Sequence, residues 1–213
     1  MIRRRLRLLS VNVSQAVAVE HHGRTVPTGI FKRPVAGRVV THGVNLDGDE
    51  QADRRVHGGR DRAAYAYATE DLAWWAGELG RPVGPGAMGE NLTTEGLDVT
   101  GARVGERWRV GGAVFEVSAP RVPCFKLGIR MGDPRFPRRF ARAGRPGAYL
   151  RIVEHGSVGA GDPIEIVHRP PHDVTVSLVA RAYHDDRALA PILLTAPELG
   201  AGWREWARDV AHA

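Results

Sequence analysis

The sequence predicts a mainly β fold with minor α content, in which a barrel-like domain over residues 1–170 precedes a small helical domain over residues 171–213. Three observations predict it. Short β-branched or alternating runs recur at close spacing between Gly, Pro, Asn and Asp signals, a pattern of barrels and sandwiches rather than of repeating βαβ units. Helical periodicity is confined to a few segments. Pro170-Pro171 marks a boundary, after which a strand-like DVTVSLVARAY gives way to helical patterns until the end of the chain.

Leu6, Leu8, Val11 and Val13 share the first extended run, and further strands are predicted over 35–41, 63–67, 103–110, 113–118, 147–154 and 164–167. VGERWRV at 104–110 and VGAGDPIEIV at 158–167 both set a Val-Gly turn ahead of an alternating strand, a recurring turn device and not a repeat. Thr69 as N-cap, Glu70 and Asp71 in the first turn, the stripe Leu72, Trp75, Ala76 and Leu79, and Gly80 at the end predict a helix. A second helix begins at Asp133-Pro134 and brings Phe136 and Phe140 onto one face before Gly144, with Pro137 weakening its first turns. In the tail, Asp185 or Asp186 caps a short helix that Pro191 kinks or ends, and Thr195 with Glu198 reads as a capping box closed by Gly200. Trp203, Trp206, Ala207 and Val210 then recur on one helix face. A tail of roughly 40 residues is too small to be secure alone, so it is expected to dock on the barrel or on a partner, a homodimer contact included.

The chain has 213 residues and one cysteine, so it can bury a core without staples and forms no internal disulfide, which fits a reducing cytoplasm. Polar Ser10, Asn12, Ser14 and Gln15 interrupt the apolar stretch after the Arg-rich start, so mature protein rather than a signal peptide is expected. No run approaches the ~18 apolar residues of a spanning helix, and no membrane association is expected. A net charge of +6 and a pI of about 10.2 suit anionic partners. Yet the basic residues cluster only at Arg3 to Arg5 and Arg135 to Arg145, without an RNP pattern or zinc finger, so no stable nucleic-acid binding is expected.

Three stretches carry candidate chemistry, with GIFKRP at 29–34 as a fourth. In SAPRVPCFKLGIR, Arg121 and Lys126 surround Cys124 with positive charge, which favours the thiolate that attacks electrophiles or ligates soft metals. The competing reading is a buried, inert cysteine, but the flanking prolines and charges point to a loop. In RRVHGGRDR, His57 precedes Gly58 and Gly59, whose amides can cradle an anion, with Arg60 and Arg62 beside them; a plain surface turn explains the motif equally well. In GENL, Glu90 and Asn91 offer acceptors and donors to a heterocycle edge, or simply shape a loop. GPGAMG matches a dinucleotide fingerprint in letters only, since Pro85 sits inside it and neither a strand before it nor a helix after it is predicted. His168 and His172 have zinc-ligand spacing, but Pro170 and Pro171 between them exclude a helix, so a zinc site is unsupported; a P-loop and a nucleophile elbow are missing, and a Cys–His hydrolase pairing His57 with Cys124 stays open.

Taken together and in order, GIFKRPV, NLDGDEQADRRVHGG, MGENLT, PRVPCFKLG and VGAGDPIEIV resemble the MOSC proteins of the YiiM-like group, over nearly the whole chain. The resemblance implies a MOSC-type β-barrel-like domain followed by a small three-helix C-terminal domain. It implies the molybdenum cofactor, molybdenum held by molybdopterin, with Cys124 as the protein ligand to the metal. His57, Gly58, Gly59, Glu90 and Asn91 are then expected to line the cofactor or substrate pocket, His57 and Asn91 as catalytic residues beside Cys124. Lys32, Arg121, Lys126 and Arg62, where the family commonly has lysine, are expected to face the cofactor's anionic groups. The implied activity is reduction of N-hydroxylated compounds, such as hydroxylaminopurine-type base analogues, to amines, with electrons from a separate flavin or haem reductase. Met88 and the Ala119-Pro120 pair stand where the family often carries phenylalanine and glutamine, which reshapes the substrate pocket and spares every proposed ligand. A carrier function is the alternative, in which Cys124 takes sulfur as a persulfide for metal–sulfur or cofactor assembly.

Overall fold

The computed structural model describes residues 5–52 and 58–212. The strands are β1 (Arg7–Val13), β2 (Val17–His21), β3 (Arg24–Thr28), β4 (Arg33–Pro34), β5 (Arg38–His42), β6 (Asn45–Leu46), β7 (Ala64–Ala68), β8 (Leu92–Glu95), β9 (Arg107–Val110), β10 (Ala113–Pro120), β11 (Ala148–Glu154), β12 (Ser157–Gly159) and β13 (Ile164–His168). The helices are α1 (Thr69–Leu79), α2 (Phe125–Met131), α3 (Phe136–Arg142), α4 (Val176–His184), α5 (Ala190–Leu193) and α6 (Ala201–Ala211).

Eight strands form one sheet in the order β13-β9-β10-β11-β7-β8-β1-β4, with β12-β5-β6 and the hairpin β2-β3 beside it. Its pairings are antiparallel except between β7 and β8, which the crossover helix α1 connects in parallel. The ladder does not close into a barrel. Two backbone bonds, Leu8 N–H to the Asp162 carbonyl at 2.8 Å and Ile164 N–H to the Leu6 carbonyl at 2.9 Å, instead draw the start of β13 to β1 and curl the sheet. Every residue of β10 is buried, as suits a central strand covered on both faces.

Three apolar clusters hold the molecule together. The sheet interior is filled by Leu8, Leu46, Trp108, Phe115 and Leu150. Tyr67, Trp75, Leu127, Phe136 and Phe140 pack α1, α2 and α3 against β7, with the Trp75 and Phe136 rings 4.8 Å apart, and this cluster fixes α2 and with it Cys124. In the third, Val104 joins Val174, Val179, Leu193, Leu199 and Ala207, so the tail helices dock on the preceding sheet domain. No helix of the described residues is long and apolar enough to cross a membrane.

Several sequence expectations need correction. The strand-like run after Pro171 is helix α4: Thr175 caps it by accepting the Leu178 N–H at 3.1 Å, and Val176, Val179 and Ala182 are buried at helical spacing. Burial along a helical stripe overrides the β preference of its valines. The Thr195–Glu198 capping box does not form, because the Thr195 hydroxyl turns back to the Ile192 carbonyl at 2.7 Å and Glu198 pairs with His172 at 3.0 Å. Pro191 lies in the first turn of α5 rather than ending a helix, while Asp186 does cap the turn before it. The stretch expected as a strand from Arg103 becomes one only at Arg107. Helix α2, the β2-β3 hairpin and the short strand β8 were not foreseen.

Candidate active site

Cys124 stands at the entry to α2 with an extended backbone, φ −126° and ψ 175°, and its carbonyl accepts the Leu127 N–H at 2.9 Å. The residue is half-buried. Two cavities share it, along with Arg62, Val122 and Tyr149.

The first cavity is polar. Lys32, Arg62, Arg121 and Lys126 line it against the acids Asp49 and Glu50, with Asn91, Gln51, Tyr65 and Tyr149 completing the wall. Asp49 is its hub: one carboxylate oxygen accepts the Ser14 N–H at 2.9 Å and the Lys32 ammonium, and the other accepts the Asn91 amide at 2.9 Å. Burial pushes the Lys32 ammonium below its ordinary pKa, against the opposing pull of Asp49. Both Asn91 amide protons are committed, since its Nδ2 also donates to the Asn12 carbonyl at 3.2 Å, and its Oδ1 accepts the Tyr65 N–H at 3.1 Å. The buried Arg121 donates to the Met88 carbonyl and lies 5.1 Å from the Tyr65 ring centroid. Burial opposes its charge, yet Tyr149, Tyr65 and Cys124 hold its pKa above the ordinary value. Tyr65 is a neutral phenol, its pKa raised well above ordinary by burial, and donates to the Pro146 carbonyl at 2.7 Å. Lys126 is 7% exposed and has no hydrogen bond or ion pair among the described residues.

Glu90 does not line this cavity. Wholly buried, it accepts the Gly86 N–H at 2.6 Å, the Met88 N–H at 3.0 Å and the Thr93 hydroxyl at 2.9 Å, so it staples its own loop. Burial raises its pKa, and those same donors oppose the shift. The loop requires two glycines: at Gly86, with φ +80°, a Cβ would lie 2.6 Å from the Lys32 carbonyl, and at Gly89, with φ +76°, 2.7 Å from Ile30.

Gly58 lines the second cavity, and the Gly59 N–H, expected to face an anion, donates to Gln51 Oε1 at 2.9 Å. Arg62 stands between the cavities, 5.6 Å from the Tyr149 ring centroid. His57 lies outside the described residues. Lys32, Arg62, Asn91, Arg121, Cys124 and Lys126 are thus brought together, Gly58 is next to them, and Glu90 stands behind. Sequence reasoning missed Asp49, Gln51, Tyr65 and Tyr149; Asp49 and Gln51 sit inside the quoted NLDGDEQAD motif, the one signal that pointed to them.

Comparison with known proteins places this arrangement. The MOSC domain family matches residues 53–165, more than half of the chain. The chain belongs to the MOSC family. It is 35% identical over 207 residues to the uncharacterized protein YflK of Bacillus subtilis, covering 96% of this chain and 94% of that one. To the Escherichia coli protein YiiM it is 37% identical over 186 residues, 83% of this chain and 81% of that one. A 35% identical match to a protein named "Reductase" from Gibberella moniliformis covers 70% of this chain and 27% of that longer protein. Among solved structures, YiiM from Geobacillus stearothermophilus superposes with a TM-score of 0.79 at 30% identity, covering 96% of this chain and 98% of that one. E. coli YiiM superposes with a TM-score of 0.71 at 26% identity, covering 98% and 92%. MOSC domains are of the molybdenum-cofactor-binding or sulfurase type, which supports a molybdenum-cofactor-associated role for this YiiM-like MOSC protein. The donor set fits such a group: one soft thiol, and four cationic side chains, two of which, Arg121 and Lys126, are buried with no carboxylate partner among the described residues.

Proposed function

We propose that this MOSC protein is a molybdenum-cofactor-dependent oxidoreductase that reduces N-hydroxylated compounds to amines. The observation that carries the proposal is the junction at Cys124, a lone thiol beside buried cationic groups that can receive an anionic ligand. Cys124 is the protein ligand to the metal, and Lys32, Arg62, Arg121 and Lys126 hold the cofactor's phosphate and dithiolene charge. When bound, the cofactor supplies the electron transfer that side chains cannot. The net change is cleavage of the substrate N–O bond: two electrons and two protons enter, and amine and water leave. A separate flavin or haem reductase supplies the electrons, in keeping with the reductase named among the relatives.

The chain's own residues have separable tasks. Asp49 holds Lys32 in the cavity, and Asn91 ties Asp49 to the backbone of Tyr65, so Asn91 is a positioning residue. Glu90 positions the loop whose Met88 carbonyl anchors Arg121. Gly58 lines the second cavity beside Arg62, and Gly59, with φ +93°, makes the turn that leads into it. His57 is assigned to the pocket by family resemblance alone. The division into residues 1–170, which hold the cofactor, and the helical segment 171–213 belongs to this reading.

The test is turnover of an N-hydroxylated purine by protein from a cofactor-producing host, with a reduced dye as donor. Amine formation that disappears in Cys124→Ala is expected. A cyanide-labile sulfur on Cys124 without molybdenum would overturn the proposal in favour of the sulfur carrier.

A further inference from the structure

The basic stretch of the sequence lies, Lys126 apart, outside both cavities at Cys124. Over residues 125–145, which hold α2 and α3, seven Lys and Arg residues stand against one acid, Asp133, so this segment carries a surplus of positive charge. On α3, Phe136 and Phe140 are buried, while Arg135, Arg138 and Arg142 recur at helical spacing on the exposed side. Arg135 and Arg139 share Asp133 at 3.7 and 3.8 Å. The side chains of Arg138 and Arg142 have no hydrogen bond or ion pair among the described residues.

More arginines gather where α2 ends. Arg130 lies over the Phe31 ring at 5.6 Å and reaches only neutral oxygens, the Gly86 carbonyl at 3.3 Å and the Lys32 carbonyl at 3.5 Å, while its Nε is buried without a partner. Arg81 donates to the Met131 carbonyl at 3.3 Å, and the Arg33 side chain has no partner among the described residues. Burial pushes the Arg130 guanidinium below its ordinary pKa, Glu90 pulls the other way, and Arg33 and Arg81 add to the fall by crowding like charge around it. Glu90 is no partner for them, because its oxygens are committed to Gly86, Met88 and Thr93. The fold thus holds like charges together and supplies no carboxylate to pair them, a repulsion that carboxylates of another molecule would relieve.

Position matters as much as charge. Cys124 is the N-cap of α2 and Arg130 closes the same helix, six residues on and a rise of about 9 Å along its axis. Arg130 also touches the main chain of Lys32, whose side chain lines the polar cavity. Electron transfer falls off steeply with distance, so a donor is effective only where it comes close to the metal site.

We propose that Arg33, Arg81 and Arg130, continued by the exposed arginines of α3, form the docking surface for the acidic face of the electron-donor protein. The inference rests on the reductase reading above and gives its electron donor a place to bind. Arginine suits such a surface, since its planar group pairs carboxylates with two parallel bonds. In the complex the reduced donor is oxidised: two electrons leave it and enter the N–O cleavage described above, together with the two protons counted there.

Flavodoxin, an acidic flavoprotein, is the probe, used with the cofactor-loaded full-length protein. Labelled flavodoxin is expected to bind at low salt by fluorescence anisotropy, and to be released as ionic strength rises from about 0.01 to 1 M and the Debye length shrinks from roughly 30 to 3 Å. Arg81→Glu combined with Arg138→Glu is expected to weaken binding about tenfold or more and to lower flavodoxin-driven kcat/KM equally, while dye-driven turnover and the thermal melt are unchanged. Arg138→Glu alone, which gives up no contact, is expected to show part of that loss. Arg187→Glu combined with Arg208→Glu makes the same change of net charge at exposed positions of the C-terminal segment and is expected to leave binding within about twofold. No flavodoxin binding, binding indifferent to Arg81→Glu with Arg138→Glu, or an equal loss in the C-terminal pair overturns the docking surface. Binding that depends on Arg81 and Arg138, without turnover from dye or flavodoxin, overturns the reductase reading and leaves the surface standing. Dye-driven turnover with flavodoxin binding indifferent to those arginines does the reverse.

Discussion

The two cavities that meet at Cys124 are built by opposite means. One is walled by charges locked into a network, in which Lys32, Asp49, Asn91 and Tyr65 each take their place from the next. The other is walled by rings on helices that pack against the sheet domain, and the Trp203 and Trp206 indole N–H groups and the Tyr183 hydroxyl have no hydrogen-bond partner among the described residues. The difference teaches which substitutions report on stability and which on binding. A network with buried charge fails when one member is removed, whereas an open aromatic wall changes occupancy first.

The largest effect is expected at the hub. Asp49→Ala strands the Lys32 ammonium, the Asn91 amide and the Ser14 N–H, and losing one partner of a buried ion pair costs about 3–5 kcal/mol. Urea unfolding should show that loss, and Lys32→Met combined with Asp49→Leu should recover much of it. If Asp49→Ala proves neutral, the network does not support the cavity.

Lys126 sharpens the contrast within the polar cavity, because it is buried with no partner among the described residues. Lys126→Met is expected to stabilise the cofactor-free protein by roughly 1 kcal/mol while lowering cofactor affinity about tenfold. Thermal melts and pterin content measure the two sides. A destabilised variant would show that Lys126 serves the fold and not an anion.

The smallest effect lies away from both cavities, where Arg38 pairs with Asp162 at 2.9 Å near the join of β13 to β1. Burial raises the Asp162 pKa, but the Arg38 bond, the Gly159 N–H and the Arg38 charge outweigh it, so the net shift is downward. The native state therefore binds fewer protons than the unfolded one just below the ordinary Asp range. Stability from this pair is present above that range and lost as pH falls through the depressed value. Asp162→Asn should cost less than ~1 kcal/mol at neutral pH and flatten the acid limb of stability measured by urea melts from pH 3 to 7. An unchanged acid limb would remove Asp162 from the account.

Local grammar revealed much of this architecture, and tertiary partners decided the rest. Helix α1 was legible because its acids, apolar stripe and Gly80 agree on one answer. Helix α4 was not, because its valines favour strand in isolation and only their burial at helical spacing decides the matter. Cys124 could be singled out from the charges beside it, although the seven-residue helix after it could not be seen through its prolines and cations. Asp49 reads as a turn residue until the fold sets Lys32 and Asn91 against it, 17 and 42 positions away. Glu90 and Asn91 were recognised as important residues, but their side chains serve the frame of the cavity. The aromatic cavity was the least legible part, since Trp203 and Trp206 show only a helix face in sequence and meet Cys124 only in space.

The central claim is that the thiol of Cys124 and its cationic neighbours hold the molybdenum cofactor. Molybdenum by elemental analysis and pterin by fluorescence after oxidation, on wild type and Cys124→Ala from a cofactor-producing host, test it most directly. The account predicts near-stoichiometric metal and pterin in the wild type, and metal reduced by more than the roughly 10- to 100-fold of an outer-shell substitution in the variant. Wild-type protein without metal or pterin, or a variant that retains both, would contradict it.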